Sequence, residues 1–168
     1  MHSFGSLLIG GRWSWDIWTP DGDLKAQGQF SNGILTVGLN ALLEAYFREG
    51  TQPAAFYAGL IDETDYTALA ISDIMAVHAG WTEITDYSSA TRPVWSPGAP
   101  ASGLMTAPSA MEFTMSSSQT AKGLFMCTDS VKGGTDGTLW AHGLFDTEQL
   151  LQASETLKCY YEIEALNG

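Results

Sequence analysis

Apolar and polar residues alternate with period two over Arg12 to Ile17, with Trp13, Trp15 and Ile17 on one side and Arg12, Ser14 and Asp16 on the other. Leu24, Ala26, Gly28 and Phe30 alternate in the same way with Lys25, Gln27 and Gln29. Between the runs, Thr19-Pro20-Asp21-Gly22-Asp23 supplies a proline that presets φ and a glycine that accepts a positive φ, so residues 10–31 predict a β-hairpin. The period then changes. Leu39, Leu42, Leu43, Tyr46 and Phe47 fall at i, i+3, i+4, i+7 and i+8, which predicts an amphipathic helix over 36–49 with these five residues turned toward the core. Thr36 is its expected N-cap, Arg48 complements the helix dipole in the last turn, and Gly50 closes the C-terminus. A second, shorter helix is expected at Ile71 to Val77, with Ser72 or Asp73 near its start.

From residue 54 onward strand patterns dominate. Phe56 to Ile61 reads as a buried strand and Thr82 to Thr85 as a short one, while Met111, Phe113 and Met115 alternate with polar neighbours. Leu124 to Cys127 and Leu139 to Phe145 are apolar on both faces, as central strands are. Leu157, Cys159, Tyr161 and Ile163 alternate with Lys158, Tyr160, Glu162 and Glu164, which predicts a last strand with one wet face. The Gly/Pro/Ser-rich stretches 96–109 and 129–137 read as loops. Short strands, Gly-rich turns and one early helix predict a mainly β protein, a jelly-roll-like β-sandwich in a single domain spanning 1–168. Within it, residues 1–31 form an N-terminal hairpin arm, 36–49 the helix and 54–168 the sandwich.

The charge balance narrows the partners. Seven basic and nineteen acidic residues leave a formal charge of -12. The cations Arg12, Lys25, Arg48, Arg92, Lys122, Lys132 and Lys158 are scattered singly, so neither nucleic acid nor an anionic membrane surface is an expected partner. Charged residues make up 15% of the chain against a usual level of about 25%, so the surface relies on hydroxyls and amides or is covered by partners. The start of the chain has no basic segment and its apolar run, Leu7 to Ile9, is short, so no signal peptide is expected. No window has the length of a membrane span, and the chain is expected to be soluble and made in a cytoplasm. Cys127 and Cys159 are expected to be reduced, independent core thiols.

Catalytic equipment is sparse. There is no G-x-S-x-G elbow, His2 stands at the terminus, His142 lies inside a strand and His78 in an aromatic segment, so no catalytic residue and no cofactor are assigned. Asp62, Glu63 and Asp65, and Asp129 with Asp136 beside a Gly-rich loop, are oxygen-rich stretches of the kind calcium uses, but neither has EF-hand spacing and each reads as a solvated turn. No metal is expected. Gly133, Gly134 and Gly137 follow Lys132, the reverse of the P-loop order. Trp13, Trp15 and Trp18 share one strand, which leaves glycan stacking by exposed aromatics as a competing use for them.

The segment Phe56-Tyr57-Ala58-Gly59-Leu60-Ile61-Asp62, followed by Thr67-Ala68-Leu69-Ala70, His78-Ala79-Gly80-Trp81-Thr82-Glu83, Asp86-Tyr87 and Arg92-Pro93 with Trp95, resembles a family of tailed-bacteriophage virion proteins. The resemblance is densest at 56–95 and brings no catalytic residues with it. It implies a non-enzymatic virion component, made in the host cytoplasm, whose partners are the major capsid protein or other virion proteins. A capsid cement or decoration protein is the expected role, with a tail-fibre or tail-tip adaptor touching host glycans as the alternative. The expected assembly is a small homo-oligomer, a trimer before a dimer. Arg12, Trp13, Trp15 and Trp18 on the hairpin, with Trp81, Tyr87, Arg92 and Trp95, are the expected contact residues, since aromatic and Arg side chains are the usual interface anchors.

Overall fold

The structure, a computed structural model, describes residues 7–167; His2 lies outside them. The chain is mainly β: two antiparallel sheets packed face to face as a sandwich, with one helix. The first sheet runs in the order β2 (Leu24–Gly33), β1 (Leu7–Trp18), β10 (Thr156–Asn167). Its far edge is shared by β6 (Leu104–Thr106) and β7 (Met111–Thr114), which pair with successive halves of β10. The second sheet runs β3 (Phe56–Asp62), β8 (Gln119–Cys127), β9 (Leu139–Leu151), and its β3 edge is divided between β4 (Glu83–Ile84) and β5 (Val94–Trp95).

The hairpin forms where the alternation and the turn place it. Gly22 takes φ +89°, and the Thr19 Oγ1 accepts from the Asp23 N–H at 3.1 Å. It is not an appended arm, however. β1 lies between β2 and β10 and pairs with β10 from Leu7 to Trp18, because Trp13, Trp15 and Ile17 sit opposite Tyr161, Cys159 and Leu157 and share their buried face. Removing residues 1–31 would therefore take an interior strand out of the first sheet.

The main core lies between the sheets, where this face meets Leu60, Leu124, Met126 and Phe145 of the second sheet. A smaller core lies on the other side of the second sheet, where Ile61, Phe125, Cys127 and Leu139 are covered by Leu35, Met75 and Trp81. β8 is thus buried on both faces, as its unbroken apolar run requires. The covering segment 70–77 is not the expected second helix. Asp73 accepts from the Ala70 N–H at 3.0 Å and Ile74 bridges Val77, so its backbone groups are satisfied in tight turns. Within the expected loop 96–109, β6 forms instead after Gly103, whose φ of +80° reverses the chain onto β10.

The helix α1 (Thr36–Phe47) is present but its orientation is reversed from expectation. Leaving β2, the chain crosses to the β9 edge through an Ile34–Ala141 bridge and a bond from the Leu35 N–H to the Trp140 carbonyl at 3.0 Å. Gly38 then packs against Trp140 so closely that an added Cβ would lie 2.9 Å from its carbonyl oxygen. Val37, Ala41 and Ala45 are the other residues turned partly inward. The bulky row faces away: Leu39 and Leu42 are 37% exposed, Leu43 52%, Tyr46 79% and Phe47 72%. Small side chains allow the helix axis to approach the sheet, and a helix held by its small face must present its large face outward. The ends also differ from expectation. Leu35 occupies the N-cap position without a side-chain bond, while Glu49 takes the positive φ at the C-terminus and Gly50 donates to the Glu44 carbonyl.

This orientation makes the two sides of α1 unequal in energetic weight. Leu43→Ala should change the stability of the dilute protein by less than about 0.5 kcal/mol, as at other exposed sites. Gly38→Leu should cost about 1–3 kcal/mol by forcing the helix off Trp140. Denaturant unfolding of both variants checks the pair, and a larger loss for Leu43→Ala would place its side chain in the core.

Candidate functional site

Six of the eight expected contact residues are buried within the chain and offer no surface to a partner. Trp13 stacks on Phe30 and leans on Tyr161, its ring centre 4.5 Å away, and Trp15 meets the edge of Phe145 at 5.0 Å. Trp95 donates its indole N–H to the Tyr161 carbonyl at 3.0 Å. Tyr87 packs edge-on against Phe113, and Lys132 sits 4.2 Å above its ring while donating to the Thr85 and Tyr87 carbonyls. Of the remaining two, Arg12 is exposed and paired with Glu162 at 2.6 Å, and Trp18 is half-buried on the outer face, with the Lys158 ammonium 5.8 Å from its ring. The strand alternation itself explains the correction: aromatic residues at every second position fill the sandwich.

Arg92 is an internal tie. Its guanidinium bonds both Glu83 carboxylate oxygens, at 2.9 and 2.7 Å, and also donates to the Asp129 and Gly134 carbonyls. It lies over the Phe125 ring and 3.4 Å from the Cys127 sulfur. Glu83 accepts in turn from the Gly133 N–H at 2.7 Å. One planar cation thereby fastens β4, the segment before β5 and the Gly-rich 129–137 loop to the end of β8. Burial pulls the guanidinium's proton affinity down, and the bond to Glu83 and the neighbouring charges more than reverse that, so its pKa is raised.

A second polar node lies under the 70–77 segment. Asp73 accepts from the Trp81 indole N–H at 3.0 Å and faces His142 Nε2 at 3.3 Å, while His142 also reaches the Ala70 carbonyl. His78 stacks on Trp81 at 3.9 Å and its Nδ1 lies 3.0 Å from the Trp81 carbonyl. Both histidines are thus bonded to backbone and serve packing. Three carboxylates of the oxygen-rich stretches are engaged as well: Asp62 accepts from the Thr64 N–H, Glu63 pairs with Lys122 at 2.9 Å and Asp129 with Arg92. Among the described residues no three His, Cys, Asp or Glu side chains converge in a metal-binding group.

Two hollows open on the described surface. A hollow of about 220 Å³ opens between Trp81, Phe125 and the Gly133–Thr135 loop, below the range of about 300–1,000 Å³ usual for small-molecule sites. A wider groove of about 430 Å³ runs over the end of the first sheet, past Leu8, Arg12, Leu104 and Leu166. Several large apolar side chains also stand exposed in one row. They form the outward face of α1, with Ile71 beside its first turn, since the Thr36 N–H points to the Ile71 carbonyl at 3.4 Å. Sequence periodicity found these side chains and assigned them to the core. The signal that could have corrected this is the row of Gly38, Ala41 and Ala45, a second apolar stripe made of small residues.

No family model matches the chain, and no curated protein matches it in sequence.

Arg92→Met should destabilise by about 3–5 kcal/mol by leaving Glu83 buried without a counter-charge. Adding Glu83→Gln should recover part of that loss, and denaturant melts of the single and double variants measure the recovery. Buried thiols add a pH dependence. Burial pushes Cys127 from 9.0 up to about 11, partly offset by Arg92, and raises Cys159 as well. A raised folded-state pKa favours the folded form below the unfolded value and loses that advantage as pH rises, so stability should fall from pH 9.0 to about 11. Cys127→Ala should remove its own share of that fall and leave that of Cys159, read in an alkaline unfolding titration.

Proposed function

We propose that the chain is a non-enzymatic structural protein of a tailed-bacteriophage virion, a cement protein that decorates the capsid and bridges major capsid subunits. The observation that carries the assembly role is the outward row of α1, a cluster of five large apolar side chains left exposed among the described residues. Contiguous exposed apolar surface of this kind marks protein–protein contact. The virion assignment rests on the resemblance of the 56–95 segment. In the structure that segment supplies β3 to β5, Trp81 and the Arg92 tie, so it builds the β3 edge of the second sheet and part of the layer over it.

The mechanism is mechanical. A shell strained by packaged DNA gains cohesion when a stiff protein adds buried area between its subunits, and standard interfaces bury about 1,200–2,000 Å² in total. Repetition over a lattice converts moderate contacts into durable ones through effective concentration. The formal charge of -12 keeps the protein off the genome and directs it to protein surfaces. The reading needs no cofactor.

The test is reconstitution. The purified protein is added to shells stripped of accessory proteins, and bound copies and genome retention on heating are measured. Hundreds of copies per particle with improved retention are expected. Binding of only a handful would move the protein to the tail, and no binding to any particle would remove the virion reading.

A further inference from the structure

The geometry points to a second copy of this chain as the occupant of the outward face of α1, the two helices packing antiparallel about a two-fold axis near Leu43. The inference takes that face as an assembly surface, as the preceding reading does, and names its partner.

Three features favour a self-contact. The first is symmetry. Leu39, Leu43 and Phe47 form a single i±4 ridge with Leu43 at its centre, and ridges of this kind interdigitate with their own copies in the commonest class of helix packing. An antiparallel partner sets Phe47 against Leu39 and brings the aromatic end, Tyr46 and Phe47, over the partner's first turn, where Ile71 is exposed. A self-complementary patch is what a two-fold interface requires.

The second is charge. Copies carrying -12 each repel one another over most of their surface. Along α1 the only charged side chain is Glu44, and Arg48 just beyond the helix pairs with it at 3.3 Å. With Glu49 next in the chain, the helix and its end carry one net negative charge of the -12, so two copies brought together there meet little of that repulsion.

The third is area. From their fractional exposures, Leu39, Leu42, Leu43, Tyr46, Phe47 and Ile71 leave roughly 700 Å² uncovered, close to the share of about 800 Å² that one partner contributes to a standard interface. A two-fold arrangement is favoured here over the trimer expected from the sequence, because the ridge is symmetric about one residue and too short for a bundle of parallel helices.

Sedimentation of the full chain over a dilution series tests the contact in solution, without particles. A reversible dimer is expected that tightens as salt rises, since salt screens repulsion between like-charged copies. Leu43→Glu should weaken it by at least about tenfold, or more than about 1.4 kcal/mol. Leu43→Cys should cross-link to its own copy on mild oxidation, while buried Cys127 and Cys159 stay silent. The cross-link decides the matter if Leu43→Glu fails to fold. A wild type that stays monomeric at its solubility limit, a trimer, or a dimer indifferent to both substitutions overturns the inference. Those outcomes leave the virion reading to shell binding.

Discussion

The placement of α1 is set by one close approach, that of Gly38 to Trp140. The β2-to-β9 crossover, pinned by Ile34 against Ala141 and Leu35 against Trp140, delivers the chain to the sheet edge with no room for a side chain at the next helical contact. Only a small residue fits. Once the small stripe of α1 is committed inward, Leu43, Tyr46 and Phe47 have no alternative to solvent or a partner. The exposed apolar face proposed as the contact surface is therefore a consequence of how the helix is docked.

The sandwich supplies the stiffness this requires. Aromatic residues at alternate positions of the neighbouring strands β1 and β10 fill the core against the second sheet, and β8 is enclosed on both faces. Beyond the sheets, order depends on buried polar ties. Arg92 gathers β4 and the Gly-rich loop around its guanidinium, and Asp73 holds Trp81, His142 and the Ala70 backbone together. Buried polar groups persist when each is bonded, and these are. The consequence is that loops rich in Gly and Ser, which composition would make mobile, are fastened to the core.

Much of the fold was legible in the sequence because it is local. Period-two alternation placed β1, β2, β7 and β10, and Pro20 with Gly22 placed their first turn. The existence of α1 was legible too, but its facing was not. Both its stripes are apolar, and periodicity ranks the bulky row of Leu43 and Phe47 above the small row of Gly38 and Ala45, whereas the space left beside Trp140 ranks them in reverse. The expected site failed for a related reason. Trp13, Trp81 and Arg92 have the chemistry of interface anchors, and whether such a residue faces a partner or its own core depends on contacts such as Arg92 to Gly134, far apart in sequence.

The outward face of α1 should be covered in the working assembly. Hydrogen exchange of the backbone amides, compared between dilute protein and protein incorporated into the assembly, reads this directly. Residues 39–48 should exchange rapidly in dilute solution and become strongly protected on assembly, with β8 slow in both. Unchanged exchange along α1, with new protection confined to the outer faces of the sheets, would contradict it.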